Sequence, residues 1–276
     1  MATNSHMRRD EIVKRATTVG LTGVEELAAR FNVTASTIRR DLARLTAEGL
    51  LARTYGGAIA PAAHPESALR QRAGEAYDAK LAIARTAAQL IQPGESVLLD
   101  AGSTIALLAH ELKATSRLHV ATTSLSVIAE LNDSKGIDLE CLGGRLRALS
   151  QAFVGPLTEA ALERMTFDRA FLGADGVSAT DGVCEAELTQ TRLKELMARR
   201  AERVYVLAHG AKIGHRPFHF WTRLGKPWTL VTDESADPDE LRAFEAEGID
   251  VLVAKNPAAA HSDPPGEVKP QNALLQ

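Results

Sequence analysis

Asn32-Val33-Thr34-Ala35-Ser36-Thr37-Ile38-Arg39-Arg40-Asp41-Leu42 decides how this chain is read. Thr34 is placed to cap a new helix, because its hydroxyl accepts a first-turn N–H that has no partner inside the helix. Ile38, Leu42 and Leu45 follow at i, i+4 and i+7, so one face is apolar. Ser36, Thr37, Arg39, Arg40 and Arg44 lie mostly off that stripe. Short hydroxyls at a helix start, with guanidiniums beyond, suit a helix in a DNA major groove. A solvated amphipathic helix fits the same eleven residues, so the flanking sequence must decide.

Upstream, residues 8–19 read as a helix with Ile12, Val13 and Ala16 inward, stopped by Gly20. Ser5-His6-Met7 reads as a cloning remnant outside the fold. Thr22 and Glu25 are spaced as a capping box for a second helix, with Val24, Leu27, Ala28 and Phe31 inward. The recognition helix runs to about Glu48, and Gly49 stops it. Residues 50–59 form a short hairpin, a wing that carries Arg53 and Tyr55 to the DNA backbone. The reading is a winged helix-turn-helix over residues 8–60. Val-Thr-x-x-Thr-Ile-Arg-Arg-Asp-Leu, then Leu-x-x-Glu-Gly-Leu-Leu-x-Arg-Thr-Tyr-Gly-Gly-Ala, resembles the head of the DeoR (deoxyribose-operon repressor) family of bacterial transcription regulators. Thr34 stands where that family usually has Ser, and either residue caps.

The totals fit such a protein. A chain of 276 residues has room for two domains, at roughly 100–200 residues each. Hydrophobic residues make 45% and charged residues 24%, as in ordinary globular proteins. No run approaches the ~18 apolar residues of a membrane span, and no signal-peptide pattern opens the chain. Cys141 and Cys184 make no disulfide framework, which suits the cytoplasm. Net charge is −3, but residues 1–60 hold nine Arg or Lys against six acids, so an acidic body follows a basic head.

Residues 61–77 read as a linker, broken by Pro61 and Pro65. From residue 78 to 255, short apolar strands alternate with helices. Strands are expected near residues 96–100, 119–122, 137–142, 169–172, 203–207, 229–232 and 249–253. That pattern makes a mostly parallel α/β sheet covered on both faces. Residues 256–276 read as a disordered tail.

Ligands of such sheets sit beyond the carboxyl ends of the strands. After the first strand stands Asp100-Ala101-Gly102-Ser103-Thr104, which is either a phosphate cradle at a helix start or a plain cap and tight turn. Thr123 follows the second strand. Gly143-Gly144-Arg145 follows the third, with a guanidinium suited to phosphate. Asp175 and Lys212 follow later strands. The same positions resemble the DeoR-family sensor domain: Asp100 to Thr104, the Gly-Gly turn with Arg145, residues 168–177 and a late lysine. That resemblance implies a fold similar to ribose-5-phosphate isomerase and coenzyme A transferases, and a phosphorylated sugar or polyol as effector. Two departures stand out. Thr123 replaces a frequent Asn, and His209-Gly210-Ala211-Lys212 replaces Asp-Ser-[Ser/Thr]-Lys. The implied effector set is therefore Asp100, Gly102, Ser103, Thr104, Thr123, Gly143, Gly144, Arg145, Asp175 and Lys212. No cofactor is implied. His215 and His219 have i, i+4 spacing, but Pro217 sits between them and no Cys or carboxylate is adjacent, so no metal is assigned.

Two functions follow. The first is a DNA-binding regulator, a repressor of a carbohydrate operon, acting as a homodimer or homotetramer on double-stranded operator DNA. The second is a sugar-phosphate isomerase carrying a DNA-binding head, with Asp100, Asp175, Glu185 and Lys212 as its chemistry.

Overall fold

A computed structural model describes residues 5–18, 22–47, 52–54, 57–59, 69–225 and 227–255. The head opens with α1 (Ser5–Thr18), so Ser5 to Met7 extend the first helix instead of standing outside it. Then come β1 (Thr22–Gly23), α2 (Val24–Phe31), α3 (Ala35–Ala47), β2 (Ala52–Thr54) and β3 (Gly57–Ile59). Ile12, Leu27, Ile38, Leu42 and Leu45 close one apolar core between the three helices. Asn32 ends α2 in the left-handed conformation, with φ of 50°, and turns the chain into α3. Asn tolerates that conformation better than most residues. Asp41 is turned inward and pairs with Arg8 at 2.7 Å, which ties α3 to α1.

The capping box is not formed. Gly23 is the cap residue of α2, without a side-chain bond. Thr22 is instead held in β1, opposite Ala58 in the wing sheet of order β1-β3-β2. The proposed helix stops at Gly20 and Gly49 lie outside the described residues, as do Tyr55, residues 61–68 and the tail from 256.

The second unit begins with α4 (Leu69–Gly74), in a stretch expected to be linker. Both prolines lie upstream of Leu69, and Leu-Arg-Gln-Arg-Ala-Gly contains nothing that prevents a helical turn. Next come α5 (Tyr77–Ala88), β4 (Ser96–Leu99), α6 (Ser103–Leu112), β5 (Leu118–Thr122), α7 (Leu125–Leu131) and β6 (Ile137–Cys141). The hairpin β7 (Arg145–Arg147) and β8 (Ala152–Val154) leads to α8 (Pro156–Leu162) and β9 (Phe167–Leu172). Strands β10 (Gly176–Ser178) and β11 (Gly182–Glu185) precede α9 (Leu188–Arg199) and β12 (Ala201–Leu207). A single 3-10 turn (Gly210–Lys212), β13 (Phe220–Thr222), β14 (Thr229–Asp233), α10 (Pro238–Ala246) and β15 (Asp250–Ala254) complete it.

Seven strands form one parallel sheet of order β15-β14-β12-β9-β4-β5-β6. Val97, Leu99, Val120 and Phe171 face α5 and α6 on one side, while Leu98, Ala170, Leu172 and Val206 face α9 on the other. Burial on both faces explains the unbroken apolar runs in these strands. The chain first steps outward from β4 through β5 to β6, then returns to β9 on the other side of β4. Strand order therefore reverses between β4 and β9, which is where an open α/β sheet leaves a crevice.

Candidate functional site

A small polar cleft opens at the carboxyl ends of β4 and β9. Its floor is a buried charge cluster. The Lys194 ammonium donates to Asp100 Oδ2, to Glu185 Oε1 and to the Gly173 carbonyl, each at 2.6 Å. Asp100 Oδ2 also accepts the Gly173 N–H at 3.0 Å, which ties the end of β4 to the end of β9. Gly173 permits this approach, since a Cβ there would lie 2.9 Å from the Ala101 carbonyl oxygen. Burial pushes the Glu185 carboxyl up to about 8; the Lys194 attraction opposes this, and the Asp175 and Asp100 charges add to it. Burial opposes the Lys194 charge, but Asp100 and Glu185 prevail and hold its pKa above the ordinary range. At neutral pH the cluster therefore carries a charged Lys194 and a largely protonated Glu185.

The walls are polar. Gly102, Ser103 and Thr104 start α6, whose first-turn N–H groups have no acceptor inside the helix and carry the positive end of its dipole. Arg72, on α4, pairs with Asp175 at 2.9 Å. Lys212 donates to the Ala174 carbonyl, and Lys80, just behind the wall, donates to the Arg72 carbonyl. Burial, then Lys212, depresses Lys80 to about 8. Lys212 is itself depressed by burial and by Arg72 and Lys194. Burial, Lys212 and Lys80 take His209 down to about 4. Three neighbouring nitrogens each resist a proton here, and an anion would relieve all of them.

The His209 shift fixes a pH dependence. The unfolded chain protonates His209 near 6.5 and the folded chain only near 4, so acid favours the unfolded state between those values. Melting temperature is expected to fall as pH drops from 6.5 towards 4, and His209→Gln to fall less steeply. Melts of both proteins across that range test this; parallel slopes would show that other groups set the acid limb.

On the head, Ser36, Arg39, Arg40 and Arg44 stand exposed on α3, off the buried Ile38, Leu42 and Leu45 stripe. Arg39 reaches Glu25 on α2 only at 3.5 Å. Thr34 caps α3 by accepting the Thr37 N–H at 3.2 Å, and the two hydroxyls lie 3.0 Å apart.

Residues 8–63 match the model of the DeoR-like helix-turn-helix domain, and residues 75–234 match that of the DeoR C terminal sensor domain. This chain belongs to the DeoR family. It is 30% identical over 246 residues to the HTH-type transcriptional regulator GlpR of Haloferax volcanii, covering 89% of this chain and 96% of that one. It is 31% identical over 239 residues to the lactose phosphotransferase system repressor of Streptococcus mutans, covering 85% and 94%. Among solved structures, ribose 5-phosphate isomerase A from Methanocaldococcus jannaschii is similar over 49% of this chain and 54% of that one, at 24% identity and a TM-score of 0.37.

The cleft gathers only part of the expected effector set. Gly102, Ser103, Thr104, Asp175 and Lys212 line it, and Asp100 lies beneath. Thr123 and Gly143-Gly144-Arg145 do not line it. They follow β5 and β6, one and two strands away from the reversal of strand order. Gly144 has a packing reason instead: its φ is +147°, and a Cβ would lie 2.2 Å from the Thr158 hydroxyl. Arg145 stands exposed on β7. Of the expected DNA contacts, Thr34 and Thr37 shape the start of α3, Arg53 lies on β2, and Tyr55 is outside the described residues. The aromatic stretch after residue 214 packs locally, with Arg216 stacked on Trp221 and paired with Asp181. Among the described residues no cluster of metal-ligating side chains occurs.

Sequence reasoning missed Arg72, Ser150, Gln190 and Lys194, and weighed Glu185 only as a catalytic base. A signal for two of them exists. Gln190, Lys194 and Met197 share one face of α9 beside buried Leu193, and a lysine in phase with a buried stripe must have a partner below it.

Proposed function

We propose that this DeoR-family protein is a transcriptional repressor of a carbohydrate or polyol operon, and that its sensor cleft binds a phosphorylated sugar or polyol. The observation that carries the ligand reading is the convergence of Arg72, Lys212 and the start of α6 on one cleft at the strand reversal. The helix-turn-helix head and the relatives, a transcriptional regulator and a repressor, support the DNA reading. Operators read by such heads come as repeated half-sites, so we propose a homodimer or homotetramer. Work on an operator implies the cytoplasm. Among the described residues no helix is long and apolar enough to cross a membrane.

An isomerase fits the cleft less well. Abstracting a proton from carbon needs an available carboxylate. Asp100 is held by Lys194, Asp175 by Arg72, and Glu185 keeps its proton up to about pH 8.

The effector must bind one arrangement of the protein better than another, or operator affinity does not change. A thermal-shift screen of sugar and polyol phosphates, each beside its unphosphorylated parent, tests the ligand. At 100 times its Kd the effector adds ~2.7 kcal/mol of stability. Shifts with parents alone would refute the anion. For the head, Arg39→Ala and Arg40→Ala are each expected to weaken binding to DNA upstream of the protein's own or a neighbouring operon. A base contact costs ~1–3 kcal/mol at one operator position, whereas a phosphate contact weakens all sequences alike and lowers the salt slope by about one. Gel-shift titrations at several salt concentrations measure both; normal binding by both variants would displace α3 as the recognition helix.

A further inference from the structure

Two residues that line the cleft each hold a buried polar atom without a hydrogen-bond partner: the Ser150 hydroxyl and the Gln190 carboxamide oxygen. Ser150 is 4% exposed and Gln190 6%. Buried polar groups are nearly always paired, because an unpaired one has given up water for nothing. Here two of them, on different elements, share one cavity. Ser150 stands in the loop between β7 and β8, and Gln190 lies on α9 one turn before Lys194. Both line the same cleft as Gly102, Ser103 and Thr104.

We infer that Ser150 and Gln190 are specificity-determining residues that bind hydroxyl groups of the effector and so select which sugar or polyol phosphate the protein accepts; this rests on the anion reading above. A carboxamide oxygen only accepts, and a phosphate dianion has no proton to give it. A carbohydrate hydroxyl donates to Gln190 and either donates to or accepts from Ser150. The cleft thus has two chemistries. Cations and helix N–H groups suit an anion, and an unpaired acceptor with a hydroxyl suits a carbohydrate. A site built to bond a ligand hydroxyl rejects the analogue that lacks it, because the buried group is then left unpaired.

The test is calorimetric titration of the full chain with inorganic phosphate, propyl phosphate, glycerol 3-phosphate, ribose 5-phosphate and glucose 6-phosphate. At least one hydroxylated ester is expected to bind tenfold or more tightly than propyl phosphate. Gln190→Met and Ser150→Ala are each expected to lose about tenfold for that ester and to leave propyl phosphate unchanged. Their melting temperatures without ligand are expected to stay equal or rise, since an apolar group of similar shape replaces an unpaired polar one. A purely structural role would lower them. Should Gln190→Met fail to fold, Ser150→Ala decides. Unchanged ester affinity in the variants, or equal loss for propyl phosphate, overturns the inference, as does wild-type protein that binds all esters alike. Wild-type protein that binds no phosphate compound overturns the anion reading as well.

Discussion

Lys194→Met is expected to cost the sensor domain about 3–5 kcal/mol, the usual penalty for removing one partner of a buried ion pair. For a domain of this size that is a fall in melting temperature of about 10 °C. The expectation follows from the arrangement below the cleft. Lys194 and its two carboxylates are each about 95% buried, so water cannot replace the lost ammonium. Glu185 adapts, because it already holds its proton up to about pH 8. Asp100 would keep only the Gly173 N–H, too little for a buried carboxylate group. The double variant Lys194→Met with Asp100→Asn is therefore expected to recover more than half of the loss, since it removes both charges together. Thermal unfolding of the three proteins at pH 7 measures this. A loss below about 1 kcal/mol for Lys194→Met would mean that the cluster is open to solvent. The comparison matters for function, because the cluster joins β4 to β9 and so sets the width of the cleft above it.

How far the sequence reached depends on which physics is local. The head was legible almost residue by residue, because caps, turns and a 3.6-residue stripe act over a few positions. It failed at Thr22, where pairing with Ala58, 36 residues away, overrode the capping box. The sensor strands were legible as apolar runs, for both sheet faces are covered. The site was legible only where a motif and a strand end coincide, as at Gly102 to Thr104. Gly143-Gly144-Arg145 had the right residue types, but its distance from the cleft depends on strand order, which no local pattern encodes. Lys194 and Gln190 look like ordinary polar residues of an amphipathic helix until the helix is laid on the sheet. Arg72 was passed over because two prolines made its whole neighbourhood read as linker.

Arg72→Gln is the most direct test of whether the cleft communicates with the head. Arg72 sits on the first described turn after the wing, and it spans 103 residues of sequence to reach Asp175. The same turn is seated by two further bonds, from the Leu69 N–H to the Leu149 carbonyl and from Lys80 to the Arg72 carbonyl. An anion in the cleft competes with Asp175 for the guanidinium. Loss of a charged hydrogen bond costs about 1.5–3 kcal/mol, so Arg72→Gln is expected to weaken phosphate-ester binding about 10- to 100-fold. Operator affinity without ligand is expected to stay near normal, while its change on adding ester disappears at concentrations that saturate the wild type. Asp175→Asn should act in the opposite direction. It removes both a competitor for Arg72 and a negative charge facing the ligand, so ester binding is expected to tighten. Opposite signs separate a ligand role from a structural one, since breaking a purely structural pair from either side weakens the same fold. Calorimetry with the tightest ester and operator titrations on both variants supply the readout. If the two variants weaken ester binding equally, the pair holds the fold and the anion sits elsewhere in the cleft.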